Sequence, residues 1–332
     1  MPNSLICVHN IIYPAFFYVD LLMEAVSMDN NLGKILRKDM QRNYSLYILI
    51  IPVIVYFILF QYKPMYGALI AFQRFVPTRG FYNSPWVGFD NFLRFFRDPF
   101  FFRIVRNTLL LNIYQLFWGF PAPIILALLL NEVRHSKFKR TIQTVTYLPH
   151  FISIIVICGM IRDFTLSTGL FNDFVVLLGG TRTPLLIQPH LYRTIYVASG
   201  IWQSVGWGTI IYLAALSGVD PQLYEAARID GAGKVRQLWS VTLPSIAPTI
   251  VILLILRFGG LLSEGYEKTL LLYSEPVFEV ADIISTYVYR IGLLQTDWSY
   301  STAIGLFNSV INFTLLIIAN KVARKVSETS LW

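Results

Sequence analysis

Few residues of this 332-residue chain are placed to make or break bonds. The histidines follow no metal-ligand spacing such as H-E-x-x-H. No nucleophile stands at a readable spacing from a base. No G-x-x-x-x-G-K-[ST] phosphate loop occurs; the nearest approach, Gly260 to Gly265, continues into Tyr266 rather than Lys. What the chain offers instead is recognition chemistry set inside apolar stretches. Arg257 lies in one of them. A charge at membrane depth is costly and faces a bundle interior or water. Such an arginine can bind carboxylates or hydroxyls, and equally can be a structural ion pair or a side chain snorkelling to the surface. Trp202, Gln203, Trp207 and Tyr212 cluster in a second stretch, and Tyr114, Gln115 and Trp118 in a third. Aromatic faces pack on C–H groups and an amide bonds hydroxyls, while helix packing and an interfacial aromatic belt account for the same residues. Asn308 and Asn312, one helical turn apart, suit hydrogen bonds between helices. Glu264, just past the Arg257 stretch, reads as a boundary residue.

These residues need elements to position them, and composition says which solvent surrounds those elements. The chain is 55% hydrophobic and 14% charged, against roughly 25% charged in soluble domains. The bilayer is therefore the expected solvent. Six segments supply the roughly 20 apolar residues that a spanning helix needs: Tyr44–Tyr62, Asn107–Leu130, Thr141–Ile161, Thr194–Val219, Ser245–Leu262 and Tyr300–Asn320. The expected fold is an all-α polytopic membrane protein, a six-helix bundle. Net charge is +8, but the basic residues form short tracts beside apolar spans, such as Lys34-Arg37-Lys38-Arg42 and Arg134-Lys137-Lys139-Arg140. That placement reads as topology, with both termini cytoplasmic, rather than as a nucleic-acid surface. The expected division is a cytoplasmic segment 1–43, a first span 44–62, an extracytoplasmic loop 63–105, a core 106–320 and a cytoplasmic tail 321–332. Residues 1–28 receive no role: Ile11–Met23 is apolar but short, and no basic region or cleavage site marks a signal peptide. Cys7 and Cys158 suggest no disulfide framework.

The longest cytoplasmic loop inside the bundle, 220–244, carries the most readable local physics. Asp220 is a good N-cap and Pro221 suits a first helical position. Gln222 to Ile229 favours helix, and Asp230-Gly231 supplies a turn. A second helix is expected from about Ala232 to Thr242, stopped by Pro244. Small Ala226, Ala227 and Ala232 permit close approach, and Leu223, Leu238 and Trp239 offer apolar anchors. The plain alternative is an amphipathic hairpin lying on lipid headgroups.

The residue pattern here is specific. Glu225-Ala226-Ala227, three residues, Gly231, nine residues, Val241, Thr242, Leu243-Pro244 closely resembles the EAA loop of ABC-importer permeases, with Val241 in place of the usual Ile. Asp230-Gly231-Ala232 matches the common D-G-A core. The resemblance covers roughly residues 44–332. It implies a type I importer permease of the bacterial inner membrane whose loop is a coupling helix seated in an ATPase groove. Glu225 would then bind polar groups there, Gly231 would permit the bend, and Leu243-Pro244 would lead into the fifth span. The chain would bind no cofactor, with ATP and magnesium held by two separate ATP-binding subunits. A second homologous permease and an extracytoplasmic solute-binding protein would complete the assembly in membrane lipid. Arg257-Phe-Gly-Gly-Leu-Leu262, Ala281 to Arg290 and Thr329-Ser-Leu-Trp332 are similar to permeases of oligosaccharide and polysaccharide importers, some handling fragments of alginate or pectin. In that setting Arg257, Trp202, Gln203, Trp207, Tyr212, Tyr114 and Trp118 are candidates to line a sugar path. A gradient-driven secondary transporter is the alternative; its inverted repeats are not found.

Overall fold

The structure, a computed structural model, describes residues 38–262 and 265–326. Residues 1–28, Cys7, Lys34, Arg37, Glu264 and the Thr329–Trp332 motif lie outside the described residues. Among the described residues the chain is helical throughout, with a single isolated bridge between Gln73 and Trp86. It divides into two compact units, one ending at Tyr66 and one beginning at Gly67.

The described part of the first unit is dominated by one apolar helical run. Helix α1, Tyr44–Phe57, passes through a π-turn at Ile58–Tyr62 into Lys63–Met65. None of these residues is buried within the chain. In water that much exposed Ile, Leu and Phe would aggregate; against lipid it needs no cover.

The second unit is the bundle. Helix α2 (Asp90–Phe96) precedes α3 (Phe101–Tyr114), which runs through a π-turn at Gln115–Gly119 into α4 (Pro121–Glu132). Then come α5 (Ser136–Tyr147), α6 (Ile154–Thr165), α7 (Leu170–Leu177) and α8 (Pro189–Ser217). A hairpin of α9 (Pro221–Ile229) and α10 (Lys234–Gln237) follows, and a π-turn at Leu238–Thr242 joins α10 to α11 (Leu243–Gly259). Last are α12 (Tyr266–Leu272), α13 (Ile284–Tyr289) and α14 (Trp298–Val326). Five runs are long and apolar enough to cross a membrane: Tyr44–Phe72, Phe101–Glu132, Ile154–Leu177, Lys234–Gly259 and Trp298–Lys325. The sixth expected crossing, α8, has 29 residues, about 43 Å at 1.5 Å per residue. It carries more polar side chains, among them His190, Arg193, Ser199, Gln203 and Ser204. It can do so because it is the central helix, packed on α3, α4, α5 and α11.

Two sequence expectations are corrected. The third apolar segment, expected at Thr141–Ile161, is not one helix. Helix α5 ends at Tyr147, a 3-10 turn holds Pro149 at Leu148–Phe151, and Ser153 caps α6 by accepting from the Val156 amide at 3.4 Å. Pro149 has no amide hydrogen to continue the ladder, so the crossing run starts at Ile154 and extends to Leu177. Pro244, expected to stop the second hairpin helix, does not stop it. The π-turn Leu238–Thr242 carries the chain through, so α10 and α11 form one rod, Lys234–Gly259. The same device recurs. Pro64, Pro121 and Pro244 each stand two residues after a π-turn that ends at Tyr62, Gly119 and Thr242. A proline ring clashes with the carbonyl four residues back; widening that turn to i→i+5 bonding gives the ring room and keeps the helix continuous.

Three apolar clusters hold the bundle. One joins α3, α6, α8 and α12 through Leu111, Ile157, Tyr192, Tyr196 and Leu272. A second joins α2, α3, α13 and α14 through Phe95, Ile104, Tyr287, Tyr300 and Ile304. The third, Ile124, Ala127, Tyr212, Leu216 and Ile246, ties α4, α8 and α11 beside the hairpin. Gly206 lets α8 press on the end of α5: a methyl there would sit 2.1 Å from the Thr146 carbonyl oxygen.

Candidate functional site

The hairpin 220–244 projects from the end of the bundle where α8 stops and α11 starts. Its shape is set locally. The Asp220 carboxylate accepts from the Gln222 amide at 2.9 Å, satisfying one of the orphan donors of α9. At the other end Gly231 takes φ +75°. The Ala232 amide donates to the Ala227 carbonyl at 2.8 Å and the Gly231 amide to that of Arg228 at 3.0 Å. These paired bonds are the Schellman arrangement, which needs a left-handed residue where Gly231 stands. A methyl at Gly231 would meet nothing within 4 Å, so the requirement is conformational rather than steric. The Tyr224 hydroxyl lies 3.1 Å from Thr242 Oγ1, and Gln237 Nε2 donates to the Ala232 carbonyl at 2.7 Å, closing the hairpin on itself. Lys234 pairs with Glu132 at the end of α4.

What the hairpin leaves outside matters for its use. Glu225, Ala226 and Asp230 are exposed and Ala227 and Ala232 half-exposed. Ile229, Val235 and Trp239 are 87%, 71% and 68% exposed. Among the hairpin residues 220–241 none is buried. An apolar-tipped knob with its backbone satisfied is a surface made to be covered. Leu243 and Pro244 begin α11, so the second half of the hairpin and the crossing helix form one continuous rod.

The intramembrane candidates are placed differently from one another. Tyr114 ends α3 and Trp118 lies in the next π-turn, both exposed, with Trp118 edge-on to Phe117 at 5.0 Å. Trp202 and Trp207 are exposed on α8, Gln203 is half-buried, and Arg257 is half-buried in the last turn of α11. Tyr212 is buried in the cluster beside the hairpin. Trp207 stacks on His150, centroids 4.6 Å apart and planes 3° from parallel. Sequence reasoning passed over His150, since only the break at Pro149 brings it to α8. Asn312 Oδ1 accepts from the Leu262 amide at 2.9 Å and Asn308 Nδ2 donates to the Leu262 carbonyl at 3.3 Å. The two asparagines thus bond between helices at the exit from α11.

At the end of α8 and α11 away from the hairpin lies a polar network that sequence reasoning did not assemble. Asp282, fully buried, accepts from Arg290 at 2.6 and 3.2 Å and from Thr286 at 2.9 Å, with Arg103 3.5 Å away. Arg193 donates to Asn107 Oδ1 at 2.9 Å, and Asn107 Nδ2 to the carbonyls of Glu279 and Asp282 at 2.8 and 3.2 Å. Nearby, Asp98 accepts from the Tyr287 and Tyr300 hydroxyls, each at 2.6 Å. Burial acts to raise the Asp98 carboxyl, and the hydrogen bonds from Tyr287, Tyr300 and Phe100 with the charge of Arg94 outweigh it and hold it below its ordinary value. Among the described residues no cluster of His, Cys, Asp and Glu is arranged to hold a metal ion.

An apolar helical bundle with one exposed hairpin fused to a crossing helix is the architecture of a membrane-embedded transport subunit. Comparison with known proteins makes this specific. The chain matches the family described as binding-protein-dependent transport system inner membrane component over residues 100–328. It is 48% identical over 294 residues to Protein LplB of Bacillus subtilis (strain 168), covering 88% of this chain and 92% of that one. It is 46% identical over 302 residues to the polygalacturonan/rhamnogalacturonan transport system permease protein YteP of the same strain, covering 90% and 93%. Its fold matches, with TM-score 0.82 and 41% identity over 88% of this chain and 99% of the other, a chain of a bacterial ABC transporter involved in the import of the acidic polysaccharide alginate. The chain belongs to the binding-protein-dependent transport system inner membrane component family, as an ABC-transporter permease.

Proposed function

We propose that this chain is the permease of an ATP-driven importer for acidic oligosaccharides, with the hairpin 220–244 receiving force from separate ATP-binding subunits. The observation that carries this reading is the knob itself: a capped, glycine-bent hairpin with Ile229, Val235 and Trp239 outside, continuous with a crossing helix. In the assembly two ATP-binding subunits hold ATP and magnesium, and this chain holds neither. A second permease completes the path and an extracytoplasmic binding protein delivers the solute. Both termini then face the cytoplasm of a bacterial inner membrane. The substrate class is supported by relatives that carry polygalacturonan, rhamnogalacturonan and alginate, polymers rich in uronic acids. Arg257, Trp202, Gln203, Trp207 and Trp118 are the residues proposed to meet that substrate. Tyr114 joins them from the exposed end of α3, and buried Tyr212 supports the wall behind them.

The test uses the assembled importer in proteoliposomes, measuring uptake and ATP hydrolysis together. Glu225→Ala and Gly231→Val are expected to lower uptake while hydrolysis continues. Valine at φ +75° imposes left-handed strain on the order of 1–2 kcal/mol, enough to shift the knob without unfolding the bundle. Unchanged uptake per ATP hydrolysed in both variants would sink the coupling role.

A further inference from the structure

Among the described residues, the buried ammonium of Lys268 forms no ion pair. Lys268, on α12, is 8% exposed. Its ammonium donates to the Tyr196 carbonyl at 2.8 Å and lies 4.6 Å from the Tyr196 ring centre. An ammonium has three donors, and among the described residues none offers Lys268 a carboxylate. Tyr196 pins this segment from both sides, since its hydroxyl also donates to the Gly265 carbonyl at 3.2 Å. The lysine is therefore held in place rather than free to swing out. A buried cation left without a counter-charge is costly to a fold. Such an arrangement is explained when a partner anion arrives from elsewhere.

The surroundings show where it would arrive. A methyl on Gly200 of α8 would stand 3.2 Å from Lys268 Nζ and 3.8 Å from Gln115 Nε2. The missing side chain thus leaves a notch on which a cation and a carboxamide converge. Gly200 and Gln115 are both partly exposed, so the notch reaches the surface of the chain. Gln115 begins the π-turn between α3 and α4, a distortion frequent at functional sites. Gln203 lies three residues beyond Gly200 and so on the same face of α8, and Trp118 belongs to the same π-turn. Two N–H-bearing groups that both lie within 3.8 Å of the Gly200 methyl position offer donors to the two oxygens of a carboxylate placed there.

We infer that Lys268, Gln115 and the notch over Gly200 form a carboxylate-binding subsite that reads the uronate group of an acidic oligosaccharide during transport. The inference rests on the proposed importer function and deepens its substrate class. The probe is trigalacturonate, supplied with the binding protein to the assembled importer in proteoliposomes, with uptake and ATP hydrolysis both recorded. Lys268→Met is expected to lower uptake about tenfold or more, the scale of a hydrogen bond to a charged group, with stimulated hydrolysis within about twofold of the parent. Lys268→Arg keeps the charge and restores most of the uptake. Gly200→Ser fills the notch while leaving the lysine in place, and lowers uptake in the same sense. This second variant decides the matter if Lys268→Met fails to assemble. Unchanged uptake in Lys268→Met or in Gly200→Ser overturns the subsite. So does a joint loss of uptake and hydrolysis that arginine does not rescue, which marks a structural lysine. If the parent importer takes up no trigalacturonate, the acidic substrate class falls and the subsite falls with it. Uptake by the parent and all variants alike leaves the importer standing and removes only the subsite.

Discussion

The two ends of the bundle solve opposite problems. The hairpin between α8 and α11 is held mostly by bonds inside 220–244, from Asp220 to Gln222, Ala232 to Ala227, Gln237 to Ala232 and Tyr224 to Thr242, with one longer tie from Lys234 to Glu132. Its apolar side chains point away from its own chain. The network at the far end is tied by contacts between residues 86 to 202 positions apart: Arg193 to Asn107, Arg103 to Asp282, Tyr287 and Tyr300 to Asp98. Its central charge, Asp282, is fully buried. A locally wired element can move as a body without losing its shape. A network wired across the sequence fixes which helices are neighbours. A permease driven from one end needs both, a knob that keeps its form under load and a clamp that keeps the helices it moves in register.

If that contrast is right, breaking the clamp costs far more than altering the knob. Asp282→Asn removes the negative charge that Arg290 and Arg103 share while leaving both cations in place. Removing one partner of a buried pair costs about 3–5 kcal/mol. The expected outcome is a large fall in the thermal midpoint of the detergent-solubilised protein, with little assembled importer recovered. An unchanged midpoint would mean that the clamp is ornamental.

On the knob, the largest effect should come from Trp239, and it should appear only in the assembly. Trp239→Ala removes a side chain that is 68% exposed in the isolated chain, so its own stability should barely move. Large aromatic anchors dominate interfaces, at about 2 kcal/mol or more each. Retention of the ATP-binding subunits on the permease, measured by titration after solubilisation, is expected to weaken by roughly 30-fold on that figure. Equal retention would return the hairpin to the lipid-surface alternative.

The same contrast explains what could be read from sequence. The hairpin was legible because its N-cap, bend and termini lie within 220–244 and obey local rules. Its one misreading was also local: Pro244 reads as a stop, and only the π-turn before it lets the helix pass. The third crossing failed for a similar reason. The apolar content of 141–161 outweighed Pro149 in a hydropathy reading, whereas the backbone obeyed the proline and the Ser153 cap. The clamp and the notch were not legible at all. Arg290 stands eight residues from Asp282, across a break and a new helix, and Arg103 comes from another helix altogether. Lys268 reads as a loop lysine until α12 folds against α8. No periodicity announces such pairings; they exist only once the helices have chosen neighbours.

The smallest expected effect sharpens the comparison most, because it asks whether the knob's shape and its docking are separable. Asp220→Ala deletes the N-cap of α9, at about 1 kcal/mol. The cap bonds only Gln222, so the loss should fray the first turn of α9 and leave the Schellman end at Gly231 intact. Protection of the Gln222 and Leu223 amides from hydrogen exchange should fall, while that of Gly231 and Ala232 stays as it was. Asp220→Asn, which keeps an accepting oxygen, should behave like the parent. If coupling depends on the face carrying Glu225 and Trp239 rather than on the first turn, Asp220→Ala will import nearly as fast as the parent. A coupling loss as deep as that of Glu225→Ala would instead show that the knob transmits force only as one rigid piece, beginning at its cap.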